Sequence, residues 1–458
     1  MQANYTLRPG NANPYQESYA KTRDKSVLVR KPCFSNPEFI AKCRADFTVA
    51  ATQAMEYGGA LNYGAGDEIK LHENLCFCRY CMKNFRNLLR EEYGNLRQLN
   101  AEWGTNHASF DTIIPSTLEE AHRDARYASW MLWRRSMEAS LVHFYKTMDV
   151  AIKSVDPLGA VHLSGTLGDS IHYGADYQAM SKVVDMKGYN EWWLVGELLR
   201  SFQTTRNQPY AYSWGQIWLD VIQGAYDGIG SMTMSPVELR PDHTLSASGL
   251  GKKKFLDEMV RPGLVRLLKH SRRDNTRVAL HYSRLSRFAA KAMDPEKGEH
   301  PTWEHNVESW SIALNTLGLQ SDMLSVHELE AGKLSSETYD IFILPTSYAL
   351  SSSEVQTIKE YVRAGGVIIA DGRVGEFNEH LIPNNPRPLD GLFGVRPSAA
   401  PTSAETTLSP WGATVEIFDT GSSAAEQNSC SQSMNRWRMW TRSARARPSI
   451  SILKCGRT

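Results

Sequence analysis

The chain has 458 residues, with 51 Lys and Arg against 50 Asp and Glu and a net charge of +1. That length predicts two or three domains, and the charge balance excludes the broad basic face that nucleic-acid binding requires. No apolar run nears the ~18 residues of a membrane span, and the N-terminus lacks the basic start and apolar core of a secretory signal, so a cytoplasmic location is expected.

In chain order, SVLVR (26–30) reads as a short strand. In KPCFSNPEF, Asn36 is placed to cap a helix and Pro37 to occupy its first turn, giving a helix to about Tyr57. The stretch 61–81, LNYGAGDEIKLHENLCFCRYC, is the most informative. It reads as a strand ending at the acidic pair Asp67–Glu68, followed by Cys76, Cys78 and Cys81. A carboxylic acid at a strand end is placed for proton transfer. Three thiols so close together can share one metal ion but cannot readily pair as disulfides. A helix after Cys81 should bury Phe85, Leu88, Leu89 and Tyr93. A longer amphipathic helix then carries Tyr127, Trp130, Met131, Met137, Leu141, Phe144, Tyr145 and Met148 on one side.

From there the pattern is regular. AVHLSGTL, VDMKGYNEWW, QPYAYSWGQIW and GIGSMTM read as strands, with DYQAMSKVV, VGELLRSFQTTR and LDVIQGAYD as the helices between them. Alternation of this kind implies a parallel sheet with helical crossovers. Polar and aromatic residues gather where the strands end: Asp67, Glu68, Asn190, Glu191, Trp214 and Gln216. That is the layout of a (β/α) barrel, whose active site lies at the C-terminal ends of its strands. About six strands precede residue 240 where a barrel needs eight, so the expected fold is an α/β, (β/α)8 TIM-type barrel lacking its first strands.

After a helical stretch from Phe255 to Leu268, a second alternating unit begins. Its strands are RVALHY, SDMLSV, DIFILP and GVIIAD, with helices at Trp303–Leu317 and Ser353–Ala364, the pattern of an open flavodoxin-like sheet. No G-x-G-x-x-G opens a helix, so no dinucleotide site is read. The domains expected are 1–270, 275–395 and an irregular tail over 396–458, where periodicity is lost. That tail reads as a disordered end, a reading frame out of register or a basic amphipathic segment.

CFSNPEF, DEIKLHENLCFCRYCMKNFRNLLREEYG and LRQLNAEWGT, with the later strand series, resemble glycoside hydrolase family 42, over about residues 15–395. The resemblance implies a β-galactosidase-like enzyme with a structural zinc site and a homotrimer formed through an amidotransferase-like second domain. It makes Glu68 the general acid/base and Cys33, Cys76, Cys78 and Cys81 the zinc ligands. Four thiolates leave no open coordination position. Cys43 lies outside that pattern and reads as a small buried hydrophobe.

Two residues depart from the family. Asp67 stands where the family has an Asn that donates to the sugar 2-hydroxyl, and an ionised Asp only accepts. The strand expected to carry the nucleophile ends at Trp214, Gly215 and Gln216, without a carboxylate. Glu191 is the nearest alternative, and a sugar-binding or structural acid is its other reading. Asp67, Asn190, Trp192, Trp214 and Gln216 are the candidate substrate-binding residues, with core packing the alternative for each Trp. No Cys occupies LPTSYALS, the expected nucleophile turn of the second domain, so no amidotransferase chemistry is expected. Two functions follow: a glycosidase on terminal β-galactosides or related β-linked sugars, or a catalytically impaired sugar-binding or assembly protein. With two strands expected upstream of residue 1 and no seventh-strand carboxylate, the chain as given is expected to be a poor catalyst.

Overall fold

The computed structural model describes residues 13–60, 62–67, 71, 75–166, 174–190, 193–202, 208–213, 230–233, 240, 242–270, 277–293, 302–371, 373–394, 403–407 and 414–418. Two compact units are present: Met1–Glu120 with Leu132–Asp274, and Ala121–Met131 with Asn275–Thr458. Among the described residues no helix is long and apolar enough to cross a membrane.

The first unit opens with α1 (Asn13–Thr22) and α2 (Pro37–Met55). Asn36 caps α2 as expected, its side chain accepting from the Glu38 N–H, with Pro37 in the first turn. The strand expected over 26–30 is not formed. Asp24 accepts from the Ser26 N–H at 2.8 Å and starts a short 3-10 turn over Lys25–Val27. Such a local side-chain bond competes directly with strand pairing. Beyond the turn the chain pairs with the cysteine loop: the Phe77 N–H donates to the Leu28 carbonyl at 2.8 Å.

Strand β1 (Asn62–Asp67) leads through that loop into α3 (Arg79–Tyr93), which starts two residues before Cys81 and not after it. Its buried stripe is Cys81, Met82, Phe85, Leu89 and Tyr93, with Leu88 half-buried. Helices α4 (Leu96–Trp103), α5 (Leu118–Asp124) and α6 (Ala128–Lys153) follow. In α6 all the expected apolar positions from Trp130 to Met148 are buried, while Tyr127 lies just before the helix and is half-buried.

Four more strands complete the sheet: β2 (Ala160–Thr166), β3 (Met186–Asn190), β4 (Gln208–Ser213) and β5 (Gly230–Thr233). Its order is β1-β2-β3-β4-β5, every pair parallel. This gives five described strands against about six expected, because 26–30 is not one of them. Between β2 and β3 the expected helix is a single turn, α7 (Tyr177–Met180), and α8 (Trp193–Ser201) follows β3. The helix read in LDVIQGAYD lies outside the described residues. The stretch expected as one helix to Leu268 is two, Ala247–Val260 and Leu264–His270, separated at Pro262 and Gly263 (φ +80°).

In the second unit β6 (Val278–His281), β7 (Ser321–Leu324), β8 (Ile341–Leu344) and β9 (Val367–Ala370) are all parallel, in the order β7-β6-β8-β9. Helices Thr302–Thr316 and Ser352–Arg363 stand where the pattern placed them, and Arg284–Met293 is one the pattern missed. Phe342, Leu344, Ile358, Tyr361 and Ile368 form the centre of the core on one face. Gly366 lies against the Tyr361 ring so closely that a Cβ there would meet it at 2.2 Å, which is why a second glycine follows the helix end. The segment read as an irregular tail contains an antiparallel pair, β10 (Ser403–Thr407) with β11 (Thr414–Phe418). The two runs, SAETT and TVEIF, are only five residues each, too short to stand out from the Ala, Ser and Thr around them.

Candidate metal centre and strand-end site

Cys33, Cys76, Cys78 and Cys81 converge, with all four Sγ atoms within 4.8 Å of one another. The Cys33 sulfur lies 3.4 Å from both Cys78 and Cys81, and all four thiols are free. Local structure explains the convergence. Asn36 and Pro37 fix the turn that presents Cys33, and the first turn of α3 carries Cys81 just after Cys78. Backbone amides aim at the sulfurs: Arg30 N–H donates to Cys76 Sγ and Ser35 N–H to Cys33 Sγ, both at 3.3 Å, and Cys78 N–H to Cys76 Sγ at 3.4 Å. Bonds of this kind favour the thiolate form.

The thiols also divide among themselves. Hydrogen bonding with Cys76 pushes the Cys33 pKa down, and bonding with Cys33 first, then Cys76 and Cys81, pushes Cys78 down. Cys76 and Cys81 move up, each chiefly through its bond with Cys33. Cys43 stands apart in α2, fully buried, with its thiol pushed up to about 11 by desolvation. A tetrahedral ion with bonds of about 2.3 Å separates its sulfurs by roughly 3.8 Å, so the spread of this set fits a thiophilic ion after small adjustments.

Sequence reasoning missed Arg30. It is buried at 5 % exposure beside the cysteines, with its guanidinium 5.2 Å over the Phe34 ring and Nη2 donating to the Leu71 carbonyl. Burial pushes its pKa down, and the Cys76, Cys33 and Cys81 charges oppose that. A cation three residues before Cys33 was the signal for it.

At the sheet edge, Asp67 ends β1 opposite Ser164 of β2, and Asn190 ends β3 opposite Tyr212 of β4. All pairs being parallel, these ends share the C-terminal edge with Ser213 of β4. Register shifts fall between Gly64 and Asp67 in β1 and between Leu163 and Thr166 in β2, at that same edge, where bulges re-aim side chains. Glu68, Glu191, Trp192, Trp214 and Gln216 lie outside the described residues, each within three positions after the end of β1, β3 or β4.

The second unit holds a polar chain that the sequence did not announce. The Ser347 hydroxyl is 2.8 Å from His281 Nδ1, and His281 Nε2 is 3.0 Å from Glu354 Oε1. Thr346, just before Ser347, has φ +37°. The connectivity is that of a hydrolase triad, but none of the three is more than 1 % exposed, and the other Glu354 oxygen accepts from the Ser351 N–H as a helix cap. No substrate reaches Ser347; the chain ties the ends of β6 and β8 to a helix N-terminus.

A family model described as beta-galactosidase (Glyco_hydro_42) matches residues 15–259, more than half of the chain. The chain belongs to glycoside hydrolase family 42. The model of the beta-galactosidase trimerisation domain matches residues 276–421 of this family 42 chain, and so includes β10 and β11. The beta-galactosidase BgaH of Haloferax lucentense is 21 % identical over 85 % of this chain and 65 % of its own length. A catalytic mutant of Gan42B, a GH42 beta-galactosidase from G. stearothermophilus, superposes with a TM-score of 0.63 at 15 % identity, covering 84 % of this chain and 63 % of that one. The beta-galactosidase from Bacillus circulans sp. alkalophilus gives 0.61 at 17 % identity, covering 78 % and 58 %. These structures share the α/β fold, and the family 42 chain spans less than two thirds of each of these relatives.

Proposed function

We propose that this chain is a glycoside hydrolase acting on terminal β-galactosides or related β-linked sugars at the C-terminal edge of the β1–β5 sheet. The observation that carries the reading is the strictly sequential, all-parallel strand order, with Asp67 and Asn190 at the strand ends, in a chain that matches the family model over 15–259. An order without reversal is that of a (β/α) barrel wall, whereas a doubly wound sheet reverses. The order β7-β6-β8-β9 likewise supports a flavodoxin-like second domain.

In this reading Glu68 donates a proton to the leaving oxygen and Glu191 is the second carboxylate. Asp67, Asn190, Trp192, Trp214 and Gln216 bind the sugar, Asp67 by accepting from a hydroxyl. Cys33, Cys76, Cys78 and Cys81 would hold one zinc ion. With four thiolates and no open position, zinc supplies cross-linking there, not Lewis acidity. The free thiols support a reducing compartment, hence the cytoplasm. The match to the trimerisation domain supports a homotrimer, for which light scattering at micromolar concentration should give three times the chain mass; a clean monomer would refute it.

Assay of aryl β-galactosides tests the activity. The wild-type chain, though expected to be a poor catalyst, should turn them over measurably, and Glu191→Gln should lose most of that rate. Absence of turnover across a panel of aryl β-glycosides would remove the hydrolase reading, and full activity in Glu191→Gln would remove Glu191.

A further inference from the structure

We propose that Arg30 is the counter-cation of the four-thiolate site, so that the charge of this one side chain sets how tightly the site holds a divalent thiophilic ion. The inference rests on the metal reading above and concerns a residue outside the four ligands. A divalent ion bound by four thiolates is a dianion, and burying it uncompensated is costly. Three of the four cysteines are buried, and Cys78 is half-buried. The guanidinium is buried just as deeply, and an isolated buried charge of that kind is equally costly. Each charge answers the other, since the residue that carries the cation is bonded through its backbone to Cys76 and packs its guanidinium on Phe34, the neighbour of Cys33.

The geometry holds the cation in place. The Arg30 backbone N–H is bonded to Cys76 Sγ, so the residue is anchored to a ligand at its main chain. Its side chain is then fixed at two further points, by the Leu71 carbonyl at Nη2 and by the Phe34 ring against its face. Arg30 Nε has no hydrogen-bond partner among the described residues, a buried donor left over by the contacts at Nη2 and at the ring face. A guanidinium or an ammonium can fill this role, because the dianion of a loaded site favours the charged form of a neighbouring cation against the cost of burial.

The test compares the full-length wild type, Arg30→Met and Arg30→Lys, each loaded with zinc and titrated against a chromophoric chelator. Wild type should carry one zinc per chain. Arg30→Met, which keeps length and apolar packing but removes the charge, should bind zinc about 10–100-fold more weakly. Arg30→Lys, whose ammonium the loaded dianion keeps charged, should stay within about threefold of wild type. Wild-type affinity in Arg30→Met would overturn the proposal while leaving the metal reading intact. If Arg30→Met does not fold, a loss of about tenfold or more in Arg30→Lys overturns the charge account by itself. A wild-type chain that holds no zinc removes the metal reading, and the counter-cation with it, before any variant is measured.

Discussion

The thiol centre and the strand-end edge begin almost side by side in the chain, Glu68 lying eight residues before Cys76, yet they are assembled by opposite rules. The thiol centre is compact. Two short segments, fixed by an Asn36 cap and by the first turn of α3, bring four sulfurs together, and backbone amides complete the shell. The strand-end edge is distributed. Asp67, Asn190 and Ser213 meet only because β1, β3 and β4 pair in parallel, across more than a hundred residues of intervening helix and loop. The thiol centre therefore depends on two segments and their helices, whereas the strand-end edge depends on the whole sheet.

The largest effect should come from breaking the thiol centre. Binding energy in a closed thiolate centre is folding energy, with about 10–16 kcal/mol typical of small zinc domains. Cys76→Ser/Cys78→Ser should lose its metal and unfold or aggregate, with zinc content and melting temperature as the readouts. An unchanged metal stoichiometry would show that these sulfurs are not ligands. A smaller effect is expected at the buried chain of the second unit. Glu354→Ala removes both the partner of His281 and the cap on Ser351, and should cost about 3 kcal/mol in denaturant unfolding. Ser347→Ala should cost less, about 1 kcal/mol, because it deletes a hydroxyl without stranding a charged group. Equal costs would mean that the three residues are not organised around Glu354.

The same contrast explains what was legible in the sequence. The α2 cap, the α6 apolar side, the two alternating strand series and the spacing of Cys76, Cys78 and Cys81 are written in short-range patterns, and the structure has them. Cys33, by contrast, lies 45 residues from Cys78 and is joined to them through the family resemblance. The segment 26–30 misled because its apolar residues suit a strand, while Asp24 captures the preceding turn and Leu28 pairs with the cysteine loop. Arg284–Met293 was missed although Arg284, Arg287 and Lys291 fall at helical spacing, and the structure buries Arg287 and Lys291 along with the apolar residues. Arg30 and the Ser347–His281–Glu354 chain were invisible for another reason. Their partners lie 41 and 66–73 residues away, and no spacing rule reaches that far.

The most direct test of the account is a Glu68→Gln chain measured for zinc content, melting temperature and kcat/KM on an aryl β-galactoside with a poor leaving group. If the strand end does chemistry and the thiols do structure, zinc and melting temperature stay at wild-type values. Over the same comparison kcat/KM falls about 10²–10⁴-fold, the usual worth of a positioned general acid. Wild-type kcat/KM in that variant, or loss of zinc along with activity, would contradict the division of labour proposed for this segment.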